Sequence, residues 1–182
     1  MSRGGPVAGF DEVLGELLDA AAPRLATYGY LLTGSQHAGE DLVQDAIVKV
    51  FVRRRRIPNV RAAEGYVRAA MRTLHIDAMR REGLWRRAMP GQVATTAGDD
   101  PADAVAAQDA MGRALVTLSP QERVAVVLRY FDDLTVPAVA AAMGLADGTV
   151  KRYLSNALDK LAAVIGNEDF DVERIAVIER GE

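Results

Sequence analysis

Leu134-Thr135-Val136-Pro137-Ala138-Val139-Ala140-Ala141-Ala142-Met143-Gly144-Leu145-Ala146-Asp147-Gly148-Thr149-Val150-Lys151-Arg152-Tyr153-Leu154 reads as two helices about a tight turn. Thr135 can cap a helix whose first turn tolerates Pro137. The alanines at 140–142 let a second helix cross closely. Gly144 supplies a turn conformation that side chains resist. Asp147 is expected to cap the next helix, its carboxylate facing the positive helix end. At 100° per residue, Val150, Leu154, Leu158, Leu161 and Ile165 gather on an arc of ~80°. Thr149, Lys151, Arg152, Ser155 and Asn156 lie on the other side. Such a helix suits the major groove, where Arg or Lys pairs with guanine, Asn with adenine, and hydroxyls hold phosphate. A plain helical hairpin with a solvated polar face would share the pattern.

The rest of the chain also reads as all-α. Its 182 residues suffice for one ordinary domain or two small ones. Hydrophobic residues make up 49% and aromatics only 5%, with Ala and Leu at helical spacings. Cysteine is absent, which removes disulfides, thiolate zinc sites and cysteine nucleophiles and fits a reducing cytoplasm. No apolar run approaches the ~20 residues of a membrane helix, and the N-terminal stretch lacks a signal-peptide core. A soluble cytoplasmic protein without membrane insertion is expected.

The net charge of −3 conceals a partition. Residues 1–48 carry two basic and seven acidic side chains, whereas residues 53–87 hold eleven arginines against Glu64, Asp77 and Glu82. Residues 88–112 have Asp99, Asp100, Asp103 and Asp109 and no basic residue. A basic block in an acidic chain points to one surface for a polyanion and others for something else.

Two helical domains are expected, at 1–88 and 112–166, joined by a flexible acidic linker, 89–111, of Gly-, Thr-, Ala- and Asp-rich composition. In the first, Phe10–Leu32 reads as helix broken or restarted at Pro23, with an apolar stripe of Val13, Leu14, Leu17 and Leu18. Ser35 can cap a helix running to about Arg56, with Val43, Ala46, Ile47 and Val50 on its apolar face. The opposite face mixes Asp41, Gln44, Asp45, Val48 and Val52, which suits a protein partner. After Ile57-Pro58-Asn59, a helix over about 63–81 buries Val67, Ala70, Met71, Leu74 and Ala78 and carries Arg61, Arg68, Arg72, Arg80 and Arg81. Tyr66 and Trp85 are the aromatics available to stack on an unpaired base. Charge runs more commonly just solvate a helix, and Tyr66 can equally be core.

With both modules placed, the chain resembles the extracytoplasmic-function sigma factors of the sigma-70 superfamily, over roughly residues 10–165. Glu40-Asp41-Leu42-Val43-Gln44-Asp45-Ala46 is similar to the family's "EDLVQD" stretch. Tyr66-Val67-Arg68 through Arg72-Thr73-Leu74-His75-Ile76-Asp77-Ala78-Met79-Arg80-Arg81 looks like its "WL…ARNLAIDHLRR" helix. Leu118-Ser119-Pro120-Gln121-Glu122-Arg123 through Leu128 resembles the "LP…R.V..L" opening of the fourth domain, and Gly148-Thr149-Val150-Lys151-Arg152 its "GTVKSR" helix. Four matches in the right order are specific where each alone is not. The family often has Asn where Thr73 stands, a Glu in the helix opening at Thr135, and arginines where Ser155 and Asn156 follow, so altered binding at the upstream element is expected.

The resemblance implies a non-enzymatic factor without cofactor or metal. It implies that Asp41, Gln44, Asp45 and Val48 dock on the clamp helices of the polymerase's largest subunit, with the flap as a further contact. Asn59, Arg61, Tyr66, Arg68, Arg72, Thr73, Arg80 and Arg81 would serve the minus-ten element. Thr149, Lys151, Arg152, Ser155 and Asn156 would serve the minus-thirty-five element. An anti-sigma factor is an expected partner. The acidic linker would thread the channel that later carries RNA. The rival reading is a conventional helix-turn-helix regulator, which leaves the arginine helix and the Asp41 face without a job. A nucleic-acid enzyme fits worse, because His37 and His75 lie in different helices and no carboxylates have metal spacing. The acidic tail, 167–182, with Phe170, Val172, Ile175, Val177 and Ile178, reads as a packing segment, a partner-binding segment or a disordered end.

Overall fold

The computed structural model describes residues 10–53, 56–88, 114–115 and 117–165. The expected linker 89–111, the tail 167–182, Arg54, Arg55 and the side chains of Trp85, Arg86 and Arg87 lie outside the described residues. The chain divides into two compact units, Met1–Asp100 and Pro101–Glu182. Every regular element among the described residues is helical.

Unit 1 contains α1 (Phe10–Thr33), α2 (Gln36–Arg53) and α3 (Val60–Ala88), each packed on the other two. Along α1 the buried side chains are Val13, Leu17, Ala21, Leu25, Tyr28, Leu31 and Leu32, a repeat of three and four. Leu14 is half-buried and Leu18 is 48% exposed, so the stripe is narrower than the sequence suggested. Pro23 does not interrupt α1. Its missing N–H faces outward, while Ala21 and Leu25 on either side are pinned in the core, so tertiary packing overrides the local break.

Gly34, at φ 74°, makes the turn after α1, and Ser35 Oγ caps α2 by accepting from the Ala38 N–H at 3.4 Å. Arg56 already lies outside the helix. The buried line of α2 is Gly39, Leu42, Ala46 and Val50. Val43 and Ile47, expected at its centre, flank it half-buried. Asn59 Oδ1 caps α3 through the Ala62 N–H at 2.9 Å, so α3 starts earlier than the apolar pattern indicated and runs longer. Its core residues are Ala63, Val67, Met71 and Ile76, whereas Ala70 and Leu74 are half-buried and Ala78 is exposed.

The α1–α2 crossing is made of two glycines. A Cβ on Gly29 would lie 2.6 Å from the Gly39 carbonyl oxygen, and one on Gly39 would lie 2.7 Å from the Tyr30 backbone nitrogen. Both obstacles are main chain and cannot swing away.

Unit 2 contains α4 (Pro120–Val126), a π-helical turn (Val127–Phe131), α5 (Val136–Met143) and α6 (Asp147–Ile165). A reciprocal cap starts α4: the Glu122 N–H donates to Ser119 Oγ at 3.3 Å and the Ser119 N–H to Glu122 Oε2 at 2.8 Å. The same buried carboxylate accepts Lys160 Nζ at 2.7 Å, tying α4 to α6. The next residue, Arg123, is buried and donates to the carbonyls of Leu115 and Leu118, which fastens the segment preceding the cap. Thr135 caps α5 through the Ala138 N–H, with Pro137 in the first turn. Gly144 ends it at φ 65°. Asp147 is the first residue of α6 instead of its cap; the flanking position is Ala146, whose carbonyl accepts from Thr149 and Val150. Its charge still favours the helix N-terminus. Val139, Ala140, Met143, Val150, Leu154, Ala157 and Leu161 form the shared core.

Gly39→Ala should destabilise unit 1 by about 1–3 kcal/mol through overpacking against backbone. Gly65→Ala, in open space inside α3, should be neutral or stabilising by up to about 1 kcal/mol. Thermal unfolding of the two variants checks both signs.

Candidate functional site

Three exposed surfaces carry the expected site residues. On α2, Asp41, Gln44 and Asp45 are all exposed, and Val48 and Val52 are 61% and 79% exposed. Two bare valines one helical turn apart, beside carboxylates, form an apolar strip within an acidic face. His37 lies 3.7 Å from Asp41 at the start of this face. The packing of Gly39, Leu42, Ala46 and Val50 against α1 and α3 is what turns it outward.

On α3, Arg61, Thr73, Arg80 and Arg81 are exposed, while Tyr66, Arg68 and Arg72 are half-buried. These side chains do not share one function in the folded chain. Asn59 holds the helix cap described above. Thr73 Oγ1 donates to the Ala69 carbonyl at 2.9 Å, which turns its hydroxyl toward its own helix. Arg68 lies over the Tyr28 ring at 4.8 Å, and its buried Nε finds no acceptor, so it serves the α1–α3 contact as well as the basic face. Arg80 pairs with Asp77 at 3.7 Å and Arg81 Nε reaches the Asp77 carbonyl. Arg61, Arg72, Arg80 and Arg81 remain the groups along which a nucleic-acid backbone could run.

On α6, Lys151, Arg152, Ser155 and Asn156 are exposed together and Thr149 is half-buried. Val150, Leu154, Ala157 and Leu161 anchor the opposite side. Gly144 in the left-handed conformation sets the angle between α5 and α6, giving the helix-turn-helix its form. Arg152 lies 5.9 Å from the Tyr153 ring centroid.

Sequence reasoning missed Arg24. Its Nε and Nη2 donate to the two oxygens of Glu64 at 3.1 and 2.8 Å. The Arg24 hydrogen bond holds the Glu64 carboxyl below the usual carboxylate range, against the opposing pull of burial, and the charges of Arg24, Arg68 and Arg61 add to it. Burial acts most strongly on Glu122, upward, yet hydrogen bonds from Lys160 and Ser119 bring it below that range too. Both pairs link residues about forty positions apart, and no local spacing announces them. Among the described residues no three His, Asp or Glu side chains converge as metal ligands, and no helix is long and apolar enough to cross a membrane.

Comparison with known proteins matches residues 17–84 to sigma-70 region 2 and residues 108–161 to sigma-70 region 4. The RNA polymerase sigma-E factor of Streptomyces avermitilis is 30% identical over 141 residues, 78% of each chain. That of Streptomyces coelicolor is 31% identical over 144 residues, 78% of this chain and 79% of that one. The ECF RNA polymerase sigma factor SigE of Mycolicibacterium smegmatis is 30% identical over 80% of this chain and 59% of its own. Among solved structures, the sigma factor RpoE in complex with the anti-sigma factor NepR, from Bartonella quintana, shares the fold with a TM-score of 0.53. Its identity is 21%, over 85% of this chain and 98% of that one.

A carboxylate with a lowered folded-state pKa stabilises above its unfolded value and loses that contribution as pH falls through the folded one. Glu64 therefore stabilises unit 1 near neutral pH and stops doing so in acid. Thermal unfolding from pH 7 down to about pH 3 should show a smaller acid-side loss in Glu64→Gln than in the parent chain.

Proposed function

Because this chain belongs to the extracytoplasmic-function sigma factors of the sigma-70 family, which direct RNA polymerase to promoters, we propose how its two units divide that work. Unit 1 holds core polymerase through Asp41, Gln44, Asp45 and Val48. The minus-ten strand runs along Arg61, Arg72, Arg80 and Arg81, with Asn59, Tyr66, Arg68 and Thr73 shaping the start of that path. Unit 2 reads the minus-thirty-five duplex through Thr149, Lys151, Arg152, Ser155 and Asn156. The observation that carries the division is that unit 1 bears two chemically different exposed faces, carboxylate with valine on α2 and arginine on α3, while α6 bears a third.

The physics matches each task. Bare valines beside carboxylates favour a protein surface, since burying them on docking removes apolar area from water. Arginines along one helix release counterions from a phosphate chain. The N-terminal half of α6 offers donors at the spacing of base edges. Opening the minus-ten element requires unstacking at a cost of a few kcal/mol, offset by binding of the displaced strand. This role asks for no bond-making step, so we read the chain as non-enzymatic and as working in the cytoplasm beside polymerase. A conventional helix-turn-helix regulator is not favoured, because residues 17–84 match sigma-70 region 2. The RpoE–NepR complex supports an anti-sigma factor as a further partner.

Run-off transcription with purified core on genomic fragments tests the whole reading. Val48→Asp should lower co-elution with core at least tenfold without lowering the unfolding temperature. Arg152→Ala should weaken binding by about 1–3 kcal/mol at promoters with the upstream element and leave core binding intact. Core binding unaffected by Val48→Asp and Asp45→Lys together would overturn the α2 assignment.

A further inference from the structure

The seam between α1 and α3 carries charges that the promoter path along α3 leaves unused. Arg24 and Tyr28 stand one turn apart on α1, and Glu64 and Arg68 one turn apart on α3. They meet as two rungs: the Arg24–Glu64 fork, and Arg68 over the Tyr28 ring. Arg61 lies close enough for its charge to act on Glu64. Three guanidiniums thus surround a single carboxylate.

The two partners of the fork are unequal. The Glu64 side chain is 17% exposed and that of Arg24 is 58% exposed. The carboxylate sits beneath and the guanidinium above it, with Nη1 outside the fork. An exposed ion pair kept only for stability contributes about 0–1 kcal/mol and does not explain a surplus of positive charge around it. A fork that fixes a planar guanidinium at the surface, by contrast, removes the ordering entropy that a phosphate contact would otherwise cost. The surplus charge is self-repelling until a polyanion arrives.

We propose that Arg24, oriented by Glu64, contacts a nucleic-acid phosphate and carries the promoter-strand path from α3 across the seam onto α1. Glu64 is then a positioning residue. The proposal rests on the reading of α3 as a promoter-binding face.

The test is the salt dependence of binding by the assembled holoenzyme to a promoter fragment selected by run-off transcription. Each lost phosphate contact lowers the slope of log affinity against log salt by about one. Arg24→Ala should lower the slope by that amount, and Arg24→Lys should restore it. Glu64→Gln removes the carboxylate but keeps the Arg24 charge, so its slope should not fall below that of the parent chain. Arg80→Ala tests the underlying path. If Arg80→Ala lowers the slope while Arg24→Ala leaves it unchanged, the seam contact is overturned and the α3 path stands. If neither changes it, both fail. Unfolding temperatures measured in parallel identify a purely structural pair, which would lower stability and leave the slope unchanged.

Discussion

The backbone-to-backbone approach of α1 and α2 at Gly29 and Gly39 is the constraint on which unit 1 depends. Two helices usually keep 8–10 Å between their axes because side chains fill the gap. Here the obstacles to any Cβ are a carbonyl oxygen and a backbone nitrogen, at 2.6 and 2.7 Å. Each glycine costs its helix about 0.5–1 kcal/mol relative to alanine. The close crossing offsets this by fixing how α2 is rotated, which decides that Leu42, Ala46 and Val50 face inward. With those inside, Asp41, Gln44, Asp45, Val48 and Val52 have no direction left but outward.

Unit 2 reaches a similar end through polar groups. Glu122 closes the α4 cap and receives Lys160 from α6, while Arg123 secures the preceding segment. A buried carboxylate and a buried guanidinium at adjacent positions are costly unless matched, and each is matched to partners that only the folded chain brings together. The apolar core holds α5 and α6, and this polar pair fixes where α6 starts from. The reading side chains of α6 are thereby positioned by residues that touch no DNA.

Much of this was legible in the sequence because it is local. Thr135, Pro137 and Gly144 are turn and cap grammar, and each does what its type and position dictate. Helix limits were harder to read. Asn59 starts α3 before its first apolar residue, and Pro23 sits harmlessly within α1 because packing outweighs one lost hydrogen bond. Asp147 looked like a cap, but the helix begins one residue sooner. The exposed face of α2 was identified correctly even though its buried line is rotated from the expected one, since Val48 and Val52 lie far from either version. What the sequence hid were pairs across helices. Neither the Arg24–Glu64 fork nor the Arg68–Tyr28 contact has any periodicity to betray it, and both change what the basic helix offers.

The π-helical turn at Val127–Phe131 has a consequence of a different sort. The Asp132 N–H reaches the Val127 carbonyl, and Arg129 closes the turn by donating to the Leu134 carbonyl at 3.1 Å. A wider turn accommodates one additional residue, and one residue is about 100° of rotation. Phe131, more than half exposed, comes to the surface at the end of this turn. The direction in which α5 and α6 leave α4 is therefore set in steps, by counting residues, so a lineage can re-aim its DNA-reading pair by a single codon gained or lost here while every packed layer on either side keeps its own internal register.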